Sequence, residues 1–288
     1  MLRLAVRVRR AEAELVLAEL LELAPGGVEE VDVDTATVEY AVYGAPGELP
    51  ELPDLRAAAG AALIDVSTSE VADDWADRWR EFHRPLVLGD RLCVRPPWEA
   101  PQGTALDLVI DPGRAFGTGA HATTRLCLEL LLDLPAPGPG GLGEMNSAGP
   151  AVIDLGCGSG VLAIAAAKLG WPGVLALDYD QLCIDATVEN AERNGVELLG
   201  VQRFDLREDD LPPARLVLAN LLAPLLVLWA RRMQDGGRRQ PRQIIASGLL
   251  ATESDQVAAA FGRCGYAEIR RREHGEWAAL LLEAPEHG

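Results

Sequence analysis

The first 68 residues alternate between strand-like and helix-like spacings of apolar positions. Leu2 to Arg9 alternates apolar with polar residues as a half-buried strand does, and Glu12 to Leu23 carries an apolar stripe at helical spacing. A hairpin (28–33 and 37–43), a short helix (54–59) and a last strand (62–66) are predicted next. The order βαββαβ predicts a ferredoxin-like domain over residues 1–68, an arrangement often used for recognition.

A helical linker is predicted over residues 69–84. Trp75, Trp79 and Phe82 are spaced at i, i+4 and i+7, which places their rings on one face of a helix. Packing at a domain interface explains this aromatic stripe better than a substrate platform does, and the second interpretation stays open.

Residues 85–288 alternate short apolar runs with helical segments, after three lead-in strands at 86–88, 91–94 and 106–110. The predicted strands of the main sheet are 152–155, 174–178, 200–204, 216–220, 243–247, 268–273 and 277–283. This pattern predicts an α/β fold, a mostly parallel Rossmann-like sheet with helices on both faces, whose ligands bind at the carboxyl ends of the strands. Asp154, Asp178, Asp205 and Asn220 fall near such ends.

One of these strands runs into a glycine turn at Gly156, Gly158 and Gly160. Gly156 and Gly158 allow the backbone to pass close to a ligand, and exposed N–H groups at the start of the next helix attract a hydrogen-bond acceptor. The dinucleotide fingerprint requires a further glycine where this chain has Val161. The G-x-G-x-G form, with Asp154 two residues before it, is similar to the first motif of S-adenosylmethionine (SAM) methyltransferases.

A second acid, Asp178, ends the next predicted strand. A carboxylate at that place can accept both hydroxyls of a ribose. Two alternatives remain: a glycine turn of an α/β protein without a ligand, and a nicotinamide enzyme, which Val161 disfavours.

Composition narrows the classes of partner. The net charge of −18 argues against broad contact with nucleic-acid backbone and permits attraction of a basic protein, although an acidic surface kept for solubility explains it equally.

No apolar run is long enough to span a membrane, and the N-terminus alternates arginine with apolar residues, unlike a secretory signal. Five cysteines without a C-x-x-C pair favour a reducing cytosol and give no signature of a metal site. We therefore expect a cytoplasmic protein.

Five motifs, taken together, resemble the PrmA family, which methylates amino groups of large-subunit ribosomal protein eleven. They are DPGRAFGTGAHATT (111–124), VIDLGCGSG (152–160), ENAERNGV (189–196), ANLLAP (219–224) and SGLLAT (247–252). They follow the family order across most of residues 70–285. The segment before them resembles the family's substrate-recognition domain by position and pattern.

The resemblance implies a SAM-dependent N-methyltransferase domain over 85–288 that modifies lysine or N-terminal amino groups of a basic ribosomal protein. It implies cofactor contacts at Thr124, Gly156, Asp178 and Asn220. The residues themselves suggest that Gly156 and its neighbour Gly158 give close backbone approach, Asp178 holds the ribose, and Thr124 bonds the amino-acid end of the cofactor.

Methyl transfer from a sulfonium to an amine is an in-line displacement, so alignment supplies much of the catalysis. A lysine amine must first lose its proton, which a nearby carboxylate would oppose. Neutral acceptors, namely the Asn220 side chain and the carbonyls of residues 220–222, suit the amine better. No catalytic general base is identified.

Several side chains have two interpretations. His121 relays a proton or shapes its loop, and Asp205 bonds the adenine amino group or closes a turn. Thr123 or Thr124 is predicted to cap the helix that begins at Arg125, and Cys157 packs inside the glycine turn.

Two other functions stay open beside the main one. The first is a methyltransferase for another protein or a small amine. The second is a SAM-binding adaptor without turnover, which is suggested by Ala120-His121-Ala122 where the family more often has Thr-His-Pro.

Overall fold

The structure is a computed structural model. It describes residues 2–13, 16–17, 20, 28–34, 36–44, 49–50, 52–70, 84–111, 121–135, 150–236 and 241–285. The chain divides into two compact units, Met1–Phe82 and His83–Gly288. The predicted linker helix falls mostly on residues 71–83, which lie outside the described residues, as does most of the Pro/Gly-rich stretch between residues 134 and 150.

The first unit contains an antiparallel four-stranded sheet in the order β2-β3-β1-β4. Its elements are β1 (Leu2–Arg9), β2 (Glu29–Asp32), β3 (Thr37–Gly44), α1 (Leu52–Ala59) and β4 (Leu63–Glu70). Val6, Tyr40, Leu55 and the helical residues Val16 and Leu20 share its core. The predicted strands and short helix are present. The ferredoxin-like assignment stays a prediction, because the helix predicted at 12–23 is described only in part.

The second unit begins with a small sheet of its own, formed by β5 (Leu86–Leu88), β6 (Leu92–Arg95) and β7 (Leu106–Val109). β5 and β6 are antiparallel, and β6 and β7 are parallel. The three lead-in strands predicted from the sequence therefore form a separate sheet.

The main sheet has seven strands in the order β10-β9-β8-β11-β12-β14-β13. The strands are β8 (Val152–Leu155), β9 (Val174–Asp178), β10 (Gly200–Arg203), β11 (Leu216–Asn220), β12 (Gln243–Leu250), β13 (Ala267–His274) and β14 (Trp277–Glu283). The five strands from β10 to β12 are parallel. At one edge β14 pairs antiparallel with β12, and β13 pairs antiparallel with β14. The predicted mostly parallel sheet is confirmed.

Helices cover both faces of this sheet, because its strands are apolar on both sides. The helices are α2 (Ala122–Asp133), α3 (Val161–Lys168), α4 (Gln181–Arg193), α5 (Ala223–Gly236) and α6 (Ser254–Gly262). Val152 packs in one core with residues of α2 and α3, whereas Ile153 and Leu155 pack in the other with residues of α5 and α6. In the described part of the chain, no helix combines the length and hydropathy needed to cross a bilayer.

Candidate active site

The carboxyl ends of β9, β8 and β11 meet at one edge of the main sheet. Leu155 at the end of β8 pairs with Leu177 of β9 and with Ala219 of β11. The residue that follows each of these three therefore reaches the same level of the sheet: Gly156, Asp178 and Asn220. The structure thus brings together three of the residues predicted from the sequence, at the edge where α/β sheets bind ligands.

The glycine turn is bonded to β9. The Gly156 and Cys157 amides donate to the Leu177 carbonyl at 2.8 and 3.0 Å, and the Gly158 amide donates to Asp178 Oδ2 at 2.9 Å. Gly156 and Gly158 have φ of +75° and +54°, a backbone conformation that favours glycine. Both glycines shape this turn, and their amides already have acceptors in the protein.

One of the N–H groups expected to be exposed at the start of α3 has a partner within the protein. The Ala163 amide, in the first turn of α3, donates to Asp154 Oδ2 at 2.8 Å. The motif acid Asp154 thus satisfies one of the N–H groups that a helix N-terminus leaves without an intrahelical partner. That amide is not available to a ligand.

Asp178 is 7% exposed, and each of its carboxylate oxygens accepts one backbone bond. Oδ2 accepts from the Gly158 amide at 2.9 Å and Oδ1 from the Asp180 amide at 3.1 Å. A carboxylate oxygen has two lone pairs, so each retains one for a further donor such as a ribose hydroxyl.

Thr124 lies against Asn220, although the two are far apart in the sequence. Asn220 Nδ2 donates to Thr124 Oγ1 at 3.4 Å. None of the described residues donates to Asn220 Oδ1, which leaves a neutral oxygen at the edge of the sheet. A fourth predicted residue, Thr124, therefore belongs to the same site.

The capping prediction for Thr123 or Thr124 is wrong. α2 begins at Ala122, three residues earlier than predicted, and its N-cap is His121, whose Nδ1 accepts from the Thr123 amide at 3.4 Å. Both threonines lie inside the first helical turn, and Thr124 bonds Asn220 instead of the helix end.

His121 has the contacts of a residue that shapes its loop. Its ring packs edge-on against Trp277 with ring centroids 4.8 Å apart, in addition to its capping bond. Burial lowers the pKa of the imidazole and so favours the neutral ring. The proton-relay role stays a prediction.

One polar face of α4, for which the sequence predicted no role, supports the glycine turn. The Thr187 hydroxyl lies 3.0 Å from the Gly158 carbonyl oxygen and 3.2 Å from Cys157 Sγ. Asn190 Nδ2 donates to the Ser159 carbonyl at 3.0 Å. Asn194, one turn further, donates to the Val109 carbonyl at 2.7 Å. Buried polar residues at 187, 190 and 194 share one helical face, and that spacing was the available signal.

Burial strongly raises the pKa of the Cys157 thiol, which disfavours the thiolate that a nucleophile requires. Asp205 has the contacts of a turn residue: its Oδ1 accepts from the Arg207 amide at 2.8 Å, and its own amide donates to Asp209 Oδ2 at 2.8 Å. The adenine contact of Asp205 stays a prediction.

Asp154 is a buried carboxyl group behind the site. Its Oδ1 has no hydrogen-bond partner among the described residues. Burial raises the pKa of the carboxyl from 3.8 to about 7; the Ala163 amide opposes the rise, and the charge of Asp178 adds to it. The native protein therefore favours the protonated acid more strongly than the unfolded chain does.

We expect Asp154→Asn to flatten the pH dependence of stability. A carboxyl whose pKa is raised in the native protein stabilises the fold fully below its unfolded pKa, and this stability is lost as the pH rises through its folded pKa. The wild type should therefore lose about 2 kcal/mol more stability than the variant between about pH 5.5 and about pH 8. Urea unfolding of both proteins across this range measures the difference. Other titrating groups are common to both proteins, and parallel curves would contradict the assignment.

The site suits a ligand with a ribose and a charged amino-acid end. Asp178 supplies acceptors for hydroxyls, and the Thr124–Asn220 pair supplies a hydroxyl and an amide at the same edge. The doubly wound sheet, the glycine turn and the acid ending β9 define the class of SAM-dependent methyltransferases. A sequence model of one family, described as ribosomal protein L11 methyltransferase (PrmA), matches residues 54–285. The chain belongs to this family.

Relatives with the same name cover most of the chain. A ribosomal protein L11 methyltransferase of Symbiobacterium thermophilum is 41% identical over 219 residues, 74% of this chain and 66% of the relative. One of Chloroflexus aurantiacus is 38% identical over 256 residues, 78% and 73% of the two chains. A third relative with this name, from Burkholderia multivorans, is 36% identical over an alignment of 307 residues, which covers 96% of each chain.

A solved structure shares the fold. The crystal structure of a ribosomal protein L11 methylase from Lactobacillus delbrueckii subsp. bulgaricus superposes with a TM-score of 0.58 and 27% identity. The match covers 71% of this chain and 100% of that one.

Proposed function

We propose that this protein transfers methyl groups from SAM to lysine or N-terminal amino groups of ribosomal protein L11. The observation that carries the proposal is the meeting of Gly156, Asp178 and Asn220 at one edge of the sheet. We take L11 as the substrate because the relatives are named ribosomal protein L11 methyltransferase. The net charge of −18 is compatible with attraction of a basic protein, and a ribosomal protein substrate suits a cytosolic location.

We assign the cofactor contacts to five residues, all of which the hydrogen bonds and strand register above connect. They are Thr124, Gly156, Gly158, Asp178 and Asn220. Bound SAM supplies the reactive methyl group on a sulfonium. The role of these residues is to hold the cofactor so that this methyl faces the acceptor.

Asp178→Ala should weaken SAM binding by about tenfold or more, because the ribose loses a charged acceptor. Isothermal titration calorimetry measures the change. Asp180→Ala is the matched control. The Asp180 side chain caps α4 by accepting from the Leu182 amide at 2.9 Å, and it makes no bond to Asp178 or to the glycine turn among the described residues. An unchanged affinity in Asp178→Ala, or an equal loss in the control, would remove the ribose assignment.

The acceptor amine needs groups that orient it while leaving its lone pair free. Asn220 Oδ1 is a neutral acceptor of this kind, and no described residue donates to the Leu221 carbonyl either. The Leu222 carbonyl, expected from the sequence to help, accepts from the Leu225 and Leu226 amides at 3.0 and 3.2 Å. We therefore propose the Asn220 side chain and the Leu221 carbonyl as the acceptors for the amine.

An exposed apolar residue, Leu222, follows these acceptors in the chain. Leu222 is 65% exposed, although its carbonyl is bonded to the first turn of α5. An exposed leucine next to neutral acceptors favours an amine on an aliphatic chain over a small polar amine.

The function is tested by incubating the full chain with purified L11 and isotope-labelled SAM. Mass spectrometry of digested L11 should locate the label on lysine or N-terminal amino groups. Label on another protein of a cell extract, or on a small amine, would favour the broader methyltransferase interpretation. SAM binding without transfer to any acceptor would favour the adaptor.

A further inference from the structure

A bulge in β12 lies beside the acceptor residues. β11 and β12 run parallel and in register as far as the pair Asn220 and Ser247. On its other side β12 pairs with β14, where the register shifts between Ser247 and Leu249, which leaves Gly248 as the extra residue. Gly248 has φ of +83°, as expected for a glycine in a bulge.

Gly248 touches the peptide of Leu221. A Cβ on Gly248 would lie 2.6 Å from the Leu221 carbonyl oxygen, 2.8 Å from its carbon and 2.9 Å from its nitrogen. All three are backbone atoms, so they cannot move aside as the end of a flexible side chain can. The Leu221 amide is also bonded to the Ser247 carbonyl at 2.9 Å. The bulge therefore fixes the position of the Leu221 backbone by contact and by this hydrogen bond.

The bulge is in turn anchored to the rest of the unit. Ser247 is fully buried, and its Oγ lies 3.2 Å from the Thr123 carbonyl and 3.1 Å from the Ala278 carbonyl. Thr123 directly precedes Thr124, which bonds Asn220. The Ser247 hydroxyl therefore connects the bulge to the helix that carries the other side of the site.

We propose that Gly248 is a positioning residue for methyl transfer, which sets where the Leu221 carbonyl stands relative to the acceptor amine. The inference rests on the proposed function. In-line displacement is sensitive to placement on the scale of an ångström, and a methyl group at position 248 must displace the Leu221 peptide by that order. Bulges are frequent next to active sites, where they aim a neighbouring group.

Gly248→Ala tests the proposal against Gly170→Ala. Gly170 has φ of +90°, so alanine suffers comparable backbone strain there, but an added Cβ meets no described atom within 4 Å. We expect kcat for L11 to fall about tenfold in Gly248→Ala, with the KM for L11 and the Kd for SAM within about twofold of wild type. Hydrogen exchange at the Leu221 amide should accelerate. Gly170→Ala should show none of these changes.

Ser247→Ala perturbs the same bulge more gently and serves if Gly248→Ala does not fold. We expect it to accelerate exchange at Leu221 and to lower kcat by a few-fold. Equal kcat losses in Gly248→Ala and Gly170→Ala would overturn the proposal, as would unchanged kcat and exchange in Ser247→Ala. Failure of the proposed function itself is distinct, because the wild type would then not methylate L11.

Discussion

Asn220→Asp should lower kcat for L11 by about hundredfold at pH 7 and move the pH–rate profile to higher pH. A carboxylate beside the acceptor favours the ammonium form by about one to three pKa units, so fewer enzyme molecules hold a neutral amine. The wild-type amide is neutral and does not favour the ammonium form in this way. Its Oδ1 accepts no hydrogen bond from the described residues. The near-identical shape of the two side chains isolates the effect of charge.

The measurement is kcat against pH with saturating L11 and SAM, accompanied by calorimetry of SAM binding. Asn220→Ala is the control, because it removes the oriented acceptor without adding charge; its kcat should fall while the profile keeps its position. If the pH–rate profile of Asn220→Asp coincides with that of the wild type, the amine does not lose its proton beside this residue.

Removal of residues 1–82 should reduce L11 methylation by about hundredfold or more and leave SAM affinity within about twofold, since it deletes a whole recognition surface. The first unit has a core of its own, and all five proposed cofactor residues belong to the second. We propose the first unit as the substrate-recognition domain on this basis.

Calorimetry with SAM establishes that the shortened chain folds and binds, and labelled transfer to L11 then measures recognition. A small-amine substrate, if one is accepted by the full chain, should be methylated equally by both forms. Undiminished transfer to L11 by residues 83–288 would exclude a recognition role for the first unit.

The main sheet was predictable because its central strands are short apolar runs that end on polar residues. Asp178 and Asn220 follow such runs, and parallel strands bring their carboxyl ends to one edge. Local sequence therefore sufficed for strands and for the residues at their ends.

Contacts between distant segments were not predictable in the same way. Threonine is a common N-cap and histidine is not, so the start of α2 was placed three residues late. The approach of Gly248 to Leu221 depends on the register of three strands. The only local sequence signal for it is the glycine itself. The occupied amides of the glycine turn depend likewise on β9.

The glycine turn has its final shape before a ligand enters, because Leu177 and Asp178 hold three consecutive amides. Backbone that is already ordered loses little conformational freedom on association. Cofactor capture at this edge should accordingly resemble the docking of two rigid bodies, with an entropic cost that comes chiefly from the incoming molecule.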